Sequence, residues 1–95
     1  MRKYEIMAII SPDVDERQLQ PLVDKYTDTI VREGGTVDNV DIWGRRHLAY
    51  PINKKTEGLY VIINTTSEPA TVAEVDRLMT IDEQFMRTKV MRRDA

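Results

Sequence analysis

The chain has no cysteine among its 95 residues. Disulfide staples, thiolate zinc sites and cysteine nucleophiles are therefore excluded, and the absence fits a reducing cytosol. Histidine, tryptophan and phenylalanine occur once each, and glycine and proline four times each. With 41% hydrophobic and 32% charged residues, this is the profile of a globular domain, unlike a fibrous or disordered chain. Long apolar runs are missing too. The longest, Ile6–Ile10 and Leu59–Ile63, fall far short of the ~20 residues of a membrane-spanning helix. Met1-Arg2-Lys3-Tyr4-Glu5 leads straight into a strand pattern with an acid inside it, unlike a signal peptide. The expectation is a cytoplasmic protein without a membrane partner. A positive excess is also lacking: the formal net charge is −2, whereas a protein that wraps nucleic acid alone is usually basic.

What is present fits one domain over residues 1–95, since a chain this short can bury a single core. Tyr4–Ile10 alternates weakly, with Tyr4, Ile6, Ala8 and Ile10 on one face and Glu5, Met7 and Ile9 on the other. Two of those last three are apolar, which predicts a central strand partly covered on both sides. Ser11-Pro12-Asp13 breaks it. Asp15 and Glu16 supply helix-start chemistry, and Leu19, Leu22, Val23, Tyr26 and Ile30 recur at helical spacing. Pro21 removes a hydrogen bond, which predicts a loose turn over Asp15–Gln20 and a regular helix from Pro21 to Glu33, capped at Gly34-Gly35.

A long strand is expected over Thr36–Tyr50, with Gly44 at a bulge because Val37, Val40, Ile42 and Trp43 keep no single alternation. A polar turn follows over Pro51–Lys55 and Thr56-Glu57-Gly58, then a second central strand over Leu59–Thr65. Glu68-Pro69 opens a second helix striped by Val72, Val75, Leu78 and Met79 and ended by Asp82-Glu83. Phe85–Arg92 is the last strand. The order β-α-β-β-α-β predicts an α+β fold of the ferredoxin-like, split β-α-β kind. Its four-stranded antiparallel sheet has strand order 4-1-3-2, with both helices on one face.

Charge is distributed unevenly along this layout. Of 14 Lys and Arg, only Arg17, Lys25, Arg32 and Arg77 fall on the helices. Arg2, Lys3, Arg45, Arg46, Lys54, Lys55, Arg87, Lys89, Arg92 and Arg93 fall on strands and their loops. Most carboxylates do the reverse, clustering on or beside the helices. A local cationic patch binds phosphate whatever distant helices carry. The plainer role for such residues is to deter strand-to-strand aggregation at sheet edges. Arginine outnumbers lysine here, however, and its planar fork suits phosphate and base edges.

No enzymatic constellation is present. His47 has no Ser or Asp beside it in sequence. Asp38 and Asp41 are spaced onto opposite faces of a strand. Asp13, Asp15 and Glu16 lack calcium-loop spacing, and Gly34-Gly35 lacks the Lys-Ser/Thr of a phosphate loop. Neither catalysis, a metal, a cofactor nor a small-molecule substrate is expected. Trp43, Tyr50 and Tyr60 could stack on bases, but without the usual sheet-face motif their safer role is packing or protein contact.

The stretch Gly44-Arg45-Arg46-His47-Leu48-Ala49-Tyr50-Pro51-Ile52-Asn53 closely resembles the signature of the bacterial small-subunit ribosomal protein S6 family. The opening MRKYEIMAIISPD and the closing TKVMRRDA are similar to that family as well, so the likeness covers the whole chain in order. Pro21 departs from it, as does the end at Ala95 without the tail some relatives carry. The resemblance implies the split β-α-β fold and a ribosome-associated structural protein. It also implies a small basic partner, ribosomal protein S18, with which family members bind the central domain of small-subunit ribosomal RNA during assembly. On that basis Arg2, Lys3, Lys54, Arg87, Lys89 and Arg92 are the expected phosphate contacts. Trp43, Arg46, Leu48, Tyr50, Tyr60 and Ile62 are the expected protein contacts. The alternative on the same fold is a regulatory or small-ligand-binding domain.

Overall fold

A computed structural model describes residues 1–52 and 54–93. Asn53, within the expected Pro51–Lys55 turn, lies outside the described residues, as do positions 94 and 95. The elements are β1 (Arg2–Ile10), α1 (Glu16–Arg32), β2 (Thr36–Ile52), β3 (Lys55–Ser67), α2 (Pro69–Ile81) and β4 (Phe85–Arg92). They form one antiparallel sheet in the order β2-β3-β1-β4, the expected topology.

Alternation decides which side chains meet the helices. Tyr4, Ile6, Ala8 and Ile10 of β1 share a face with Leu59, Val61, Ile63 and Thr65 of β3. The stripes Leu19, Val23, Tyr26 and Ile30 of α1 and Val72, Val75 and Met79 of α2 cover that face and close the core. Tyr26 ties the layers together. Its ring meets Phe85 edge-on at 5.1 Å, and its hydroxyl donates to Asp82 Oδ2 at 2.6 Å. Burial, and then the Asp82 carboxylate, push the Tyr26 hydroxyl well above the usual tyrosine range, so it remains a donor.

α1 is longer and more regular than Pro21 led one to expect. Asp15 caps it, Oδ1 accepting from Arg17 N at 2.9 Å. That backbone bond, with the Arg17 side chain, holds the Asp15 carboxyl below its usual range. Pro21 leaves only the Arg17 carbonyl without its helical donor, and both residues are exposed, so solvent can serve it. The helix ends as its glycines predict. Gly34 N bonds Val31 O and Gly35 N bonds Ile30 O, each at 3.0 Å.

The β2–β3 hairpin is also longer than expected, since Thr56-Glu57-Gly58 continue β3 instead of forming a turn. β2 is bulged three times against β3: between Val37 and Asn39, between Ile42 and Gly44, and between His47 and Ile52. The second is the bulge expected at Gly44, whose φ of +81° favours glycine. The third leaves residues 48–51 without ladder partners in plane. Gly58 lies under this segment: a Cβ there would overlap Ile9 Cγ2 and come 3.7 Å from Leu48 Cδ2. Residues 48–51 therefore form a strap that passes over the sheet on the side away from the helices.

At the far end of that side a polar knot joins three strands. The bulged Asp38 of β2 accepts from Thr66 Oγ1 at 2.8 Å and from Thr36 Oγ1 at 3.3 Å. It also accepts from Arg93 Nη2 at 3.1 Å. The Thr66 hydroxyl, more than the others, holds the Asp38 carboxyl below its usual range. Thr36 and Asp38 thus bind Thr66 and the end of β4 in one cluster.

Two outcomes follow for stability. Gly58→Ala should lower the denaturation free energy by about 1–3 kcal/mol, the usual cost of overpacking, measured by chemical denaturation. Asp38→Asn should destabilise at neutral pH. The depressed carboxyl contributes stability above its unfolded pKa and loses it as pH falls through the folded value. The wild-type advantage should therefore shrink below about pH 4, measured as unfolding midpoints at pH 7 and pH 3. An advantage that persists undiminished at pH 3 would exclude the carboxylate as its source.

Candidate nucleic-acid and partner interface

The side of the sheet away from the helices is an open face, and pairing assigns its residues. Lys3, Glu5, Met7 and Ile9 of β1 stand opposite Thr66, Asn64, Ile62 and Tyr60 of β3. Met91, Lys89 and Arg87 of β4 continue the rows that begin at Glu5, Met7 and Ile9. From β2 come Asp41, Gly44 and Arg46. An apolar band therefore crosses the middle of a surface that has polar and cationic ends. Trp43 extends the band, stacking on Tyr60 at 6.3 Å with rings 6° from parallel. Its indole N–H donates to Asp41 Oδ2 at 2.8 Å. Trp43 is still 47% exposed.

The strap converts part of this band into a groove of about 230 Å³. Met7, Ile9 and Tyr60 make the floor, Leu48, Ala49, Tyr50 and Ile52 one wall, and Arg87 and Lys89 the other. Tyr50 reaches the opposite edge of the sheet, where its hydroxyl accepts from Arg87 Nη1. The lining carries two cations and no carboxylate. A wider hollow of about 610 Å³ lies on the other side, between α1 and α2, lined by Lys25, Tyr26, Leu78, Ile81 and Asp82 among others. There the Tyr26 hydroxyl is already engaged by Asp82.

The groove brings together Leu48, Tyr50, Tyr60, Arg87 and Lys89, five of the residues singled out in the sequence. Trp43 joins them through its stack on Tyr60, and Ile62 lies on the same face, opposite Met7. Arg46 faces the same way opposite Gly58, and its Nη1 donates to the Arg45 carbonyl at 3.0 Å. Lys3 is on this face too, but at the other end of β1, four residues or about 13 Å from Met7. Arg2 and Arg92 alternate to the helix side, opposite Ser67 and Tyr4. Lys54 stands at the hairpin tip with φ 66°, beside Lys55 and Glu57. The cations expected to converge are thus divided between two faces and the tip.

Carboxylates neutralise only some of the sheet's cations. Arg45 pairs with Glu57 at 3.6 Å, Lys55 with Asp13 at 2.8 Å, and Arg93 with Asp38 at 3.1 Å. Among the described residues Arg2, Lys54, Arg87 and Lys89 form no ion pair. The β layer is not purely cationic, because Glu5 and Asp41 also face its open side, and the bulge between Val37 and Asn39 brings Asp38 to that side as well, where spacing alone had put Asp38 and Asp41 on opposite faces. Sequence reasoning passed over Arg93 as a structural clasp and the floor residues Met7 and Ile9. Their signal was available, since two apolar residues on the second face of β1 require a cover. Among the described residues no group of three or more His, Asp or Glu could hold a metal, and no helix is long and apolar enough to cross a membrane.

Comparisons with known proteins agree with this architecture. The family model described as ribosomal protein S6 matches residues 3–92. A small ribosomal subunit protein bS6 from Cutibacterium acnes is 63% identical over 92 residues, covering 97% of this chain and 96% of the relative. The bS6 protein of Corynebacterium kroppenstedtii is 57% identical over 95 residues, covering all of both chains. The crystal structure of 30S ribosomal protein S6 from Thermotoga maritima superposes with a TM-score of 0.91 at 31% identity, covering 98% of this chain and 88% of that one. Sequence and backbone together place the chain in the ribosomal protein S6 family of the small ribosomal subunit.

Proposed function

We propose that the chain binds the central domain of small-subunit ribosomal RNA together with ribosomal protein S18, as a structural component assembled into the subunit in the cytoplasm. The observation that carries this reading is the juxtaposition, on one open face, of an apolar groove with cations that no described carboxylate neutralises. The groove, with Trp43 and Ile62 beside it, offers desolvated area to a protein. Arg87 and Lys89 on its rim offer charge to phosphate. A single surface of this kind suits RNA and protein bound side by side, with Trp43, Arg46, Leu48, Tyr50, Tyr60 and Ile62 towards S18. Arg87 and Lys89 lead the RNA contacts, flanked by Lys3 at one end of the face and Lys54 at the hairpin tip. Arg2 and Arg92 extend the cationic border around the β1–β4 edge. The role is structural and needs neither cofactor nor small-molecule substrate.

The net charge of −2 fits a shared interface, because a basic partner can supply much of the phosphate neutralisation. Gel-shift titration of a central-domain RNA fragment with this protein, with S18 and with both should give tight retention only for the pair. Equal retention by either protein alone would overturn the shared surface. Binding of a small ligand with no RNA affinity in any combination would favour the regulatory-domain alternative. For the pair, Arg87→Ala should cost about 1–3 kcal/mol of RNA affinity and reduce the slope of log K against log salt by about 1. An unchanged affinity with an unchanged slope would remove Arg87 from the RNA site.

A further inference from the structure

The strap does more than roof the groove. β2 and β4 are the two outer strands, with β3 and β1 between them, so in the plane of the sheet they stand about 14 Å apart. No ladder bond can join them. Residues 48–51 cross that span because the register passes from His47 opposite Glu57 to Ile52 opposite Lys55 and leaves them free of β3. At the end of the reach the Tyr50 hydroxyl accepts from Arg87. This fastening is confined to the tips of two long side chains: Tyr50 is 57% exposed, and Arg87 meets no described carboxylate. Beneath it Ile9, on the open face, is only 5% exposed.

Resting on the composite interface proposed above, we infer that Tyr50 and Arg87 form a latch that couples the two halves of that interface. Fastened, the strap narrows the groove and holds Nη1 of Arg87 over it, leaving the guanidinium one prong short of its full fork for phosphate. An apolar side chain of the protein partner entering over Met7, Ile9 and Tyr60 displaces the strap and separates Tyr50 from Arg87. The freed guanidinium then takes a phosphate oxygen as its acceptor. The phenol oxygen yields readily to phosphate, because the donor is charged in either bond but only phosphate adds an opposite charge and a second oxygen for a two-pronged contact. Lys89, two residues along the same face of β4, is already free to join it. Protein and RNA thereby favour one another through a single side chain whose fork is fully available to phosphate only when the strap is lifted, and the coupling is reciprocal. Its size is limited by one hydrogen bond, which corresponds to about 3- to 10-fold in affinity.

Tyr50→Phe removes the acceptor and keeps the ring, so it tests the latch with little risk to the fold. RNA affinity of the variant alone, read by gel shift at fixed salt, should rise about 3- to 10-fold. The enhancement of RNA binding by the protein partner should fall by the same factor. Exchange of the Arg87 guanidinium hydrogens, followed by NMR on the free protein, should be faster in the variant. Unchanged RNA affinity with unchanged enhancement would overturn the latch, and so would unchanged exchange. The exchange measurement uses no RNA, so it judges the latch separately. If the wild-type pair fails to retain RNA, the functional reading falls, while faster exchange would still establish the fastening.

Discussion

The constraint from which the rest follows is that a sheet covered by helices on one side must do something with apolar residues on the other. Central strands here cannot be strictly two-faced. Met7 and Ile9 of β1 and Tyr60 and Ile62 of β3 stand opposite one another on the side that no helix reaches. Exposing such a band would cost about 25 cal/mol for each Å² of apolar surface and would invite nonspecific association. The chain covers part of it from within. Trp43 stacks on Tyr60, and the bulged residues 48–51 fold across Ile9. The remainder stays open, and its shape is that of a groove with charge on one wall.

Covering the open face has a mechanical consequence. Both ends of that face are spanned from one edge strand towards the other, by Arg93 to Asp38 at one end and by Tyr50 to Arg87 at the other. The two spans differ in kind. Asp38 is held by two threonine hydroxyls as well as the guanidinium, and Arg93 also bonds the Tyr4 carbonyl at 3.2 Å and the Lys3 carbonyl through its backbone N–H. Those bonds reinforce one another and make a clasp. The Tyr50–Arg87 span has a single bond between exposed side chains, which suits a contact that opens. The sheet therefore has one fixed end and one adjustable end, and the groove lies at the adjustable one.

Much of this architecture could be read from residue order. Helical stripes, the Gly34-Gly35 cap, the Gly44 bulge and the apolar second face of β1 all follow from local chemistry, and the topology follows from their sequence. Pro21 misled because its cost depends on whether solvent can reach the orphaned carbonyl, and exposure is a tertiary property. Thr56-Glu57-Gly58 resembled a turn because Gly58 is usually a breaker. Here it is a strand residue whose missing side chain makes room for Ile9 and Leu48. The site was readable in part. Residue types picked out Tyr50, Tyr60, Arg87 and Lys89, yet nothing local indicates that residues 48–51 leave the ladder and carry Tyr50 to β4. Nor does alternation alone keep Arg2 and Arg92 with Arg87, because it sends them to the opposite side.

The charge distribution resolves the tension between an acidic chain and a polyanionic partner. Carboxylates on the outward surfaces of α1 and α2 are separated from the open face by the sheet and by a helix layer about 10 Å thick. At physiological ionic strength the screening length is about 8 Å, so little of their field reaches a phosphate on the far side. What such a phosphate meets is set by the residues within that length. Near the groove these are Arg87 and Lys89, with no carboxylate in the lining. Farther along, Asp41 is partly satisfied by the Trp43 indole and Asp38 by its clasp. The sign of the whole molecule is thus a poor guide to its interface. The local balance favours anions where the strap and β4 meet, and there the proposed latch lets partner contact release Arg87 for phosphate.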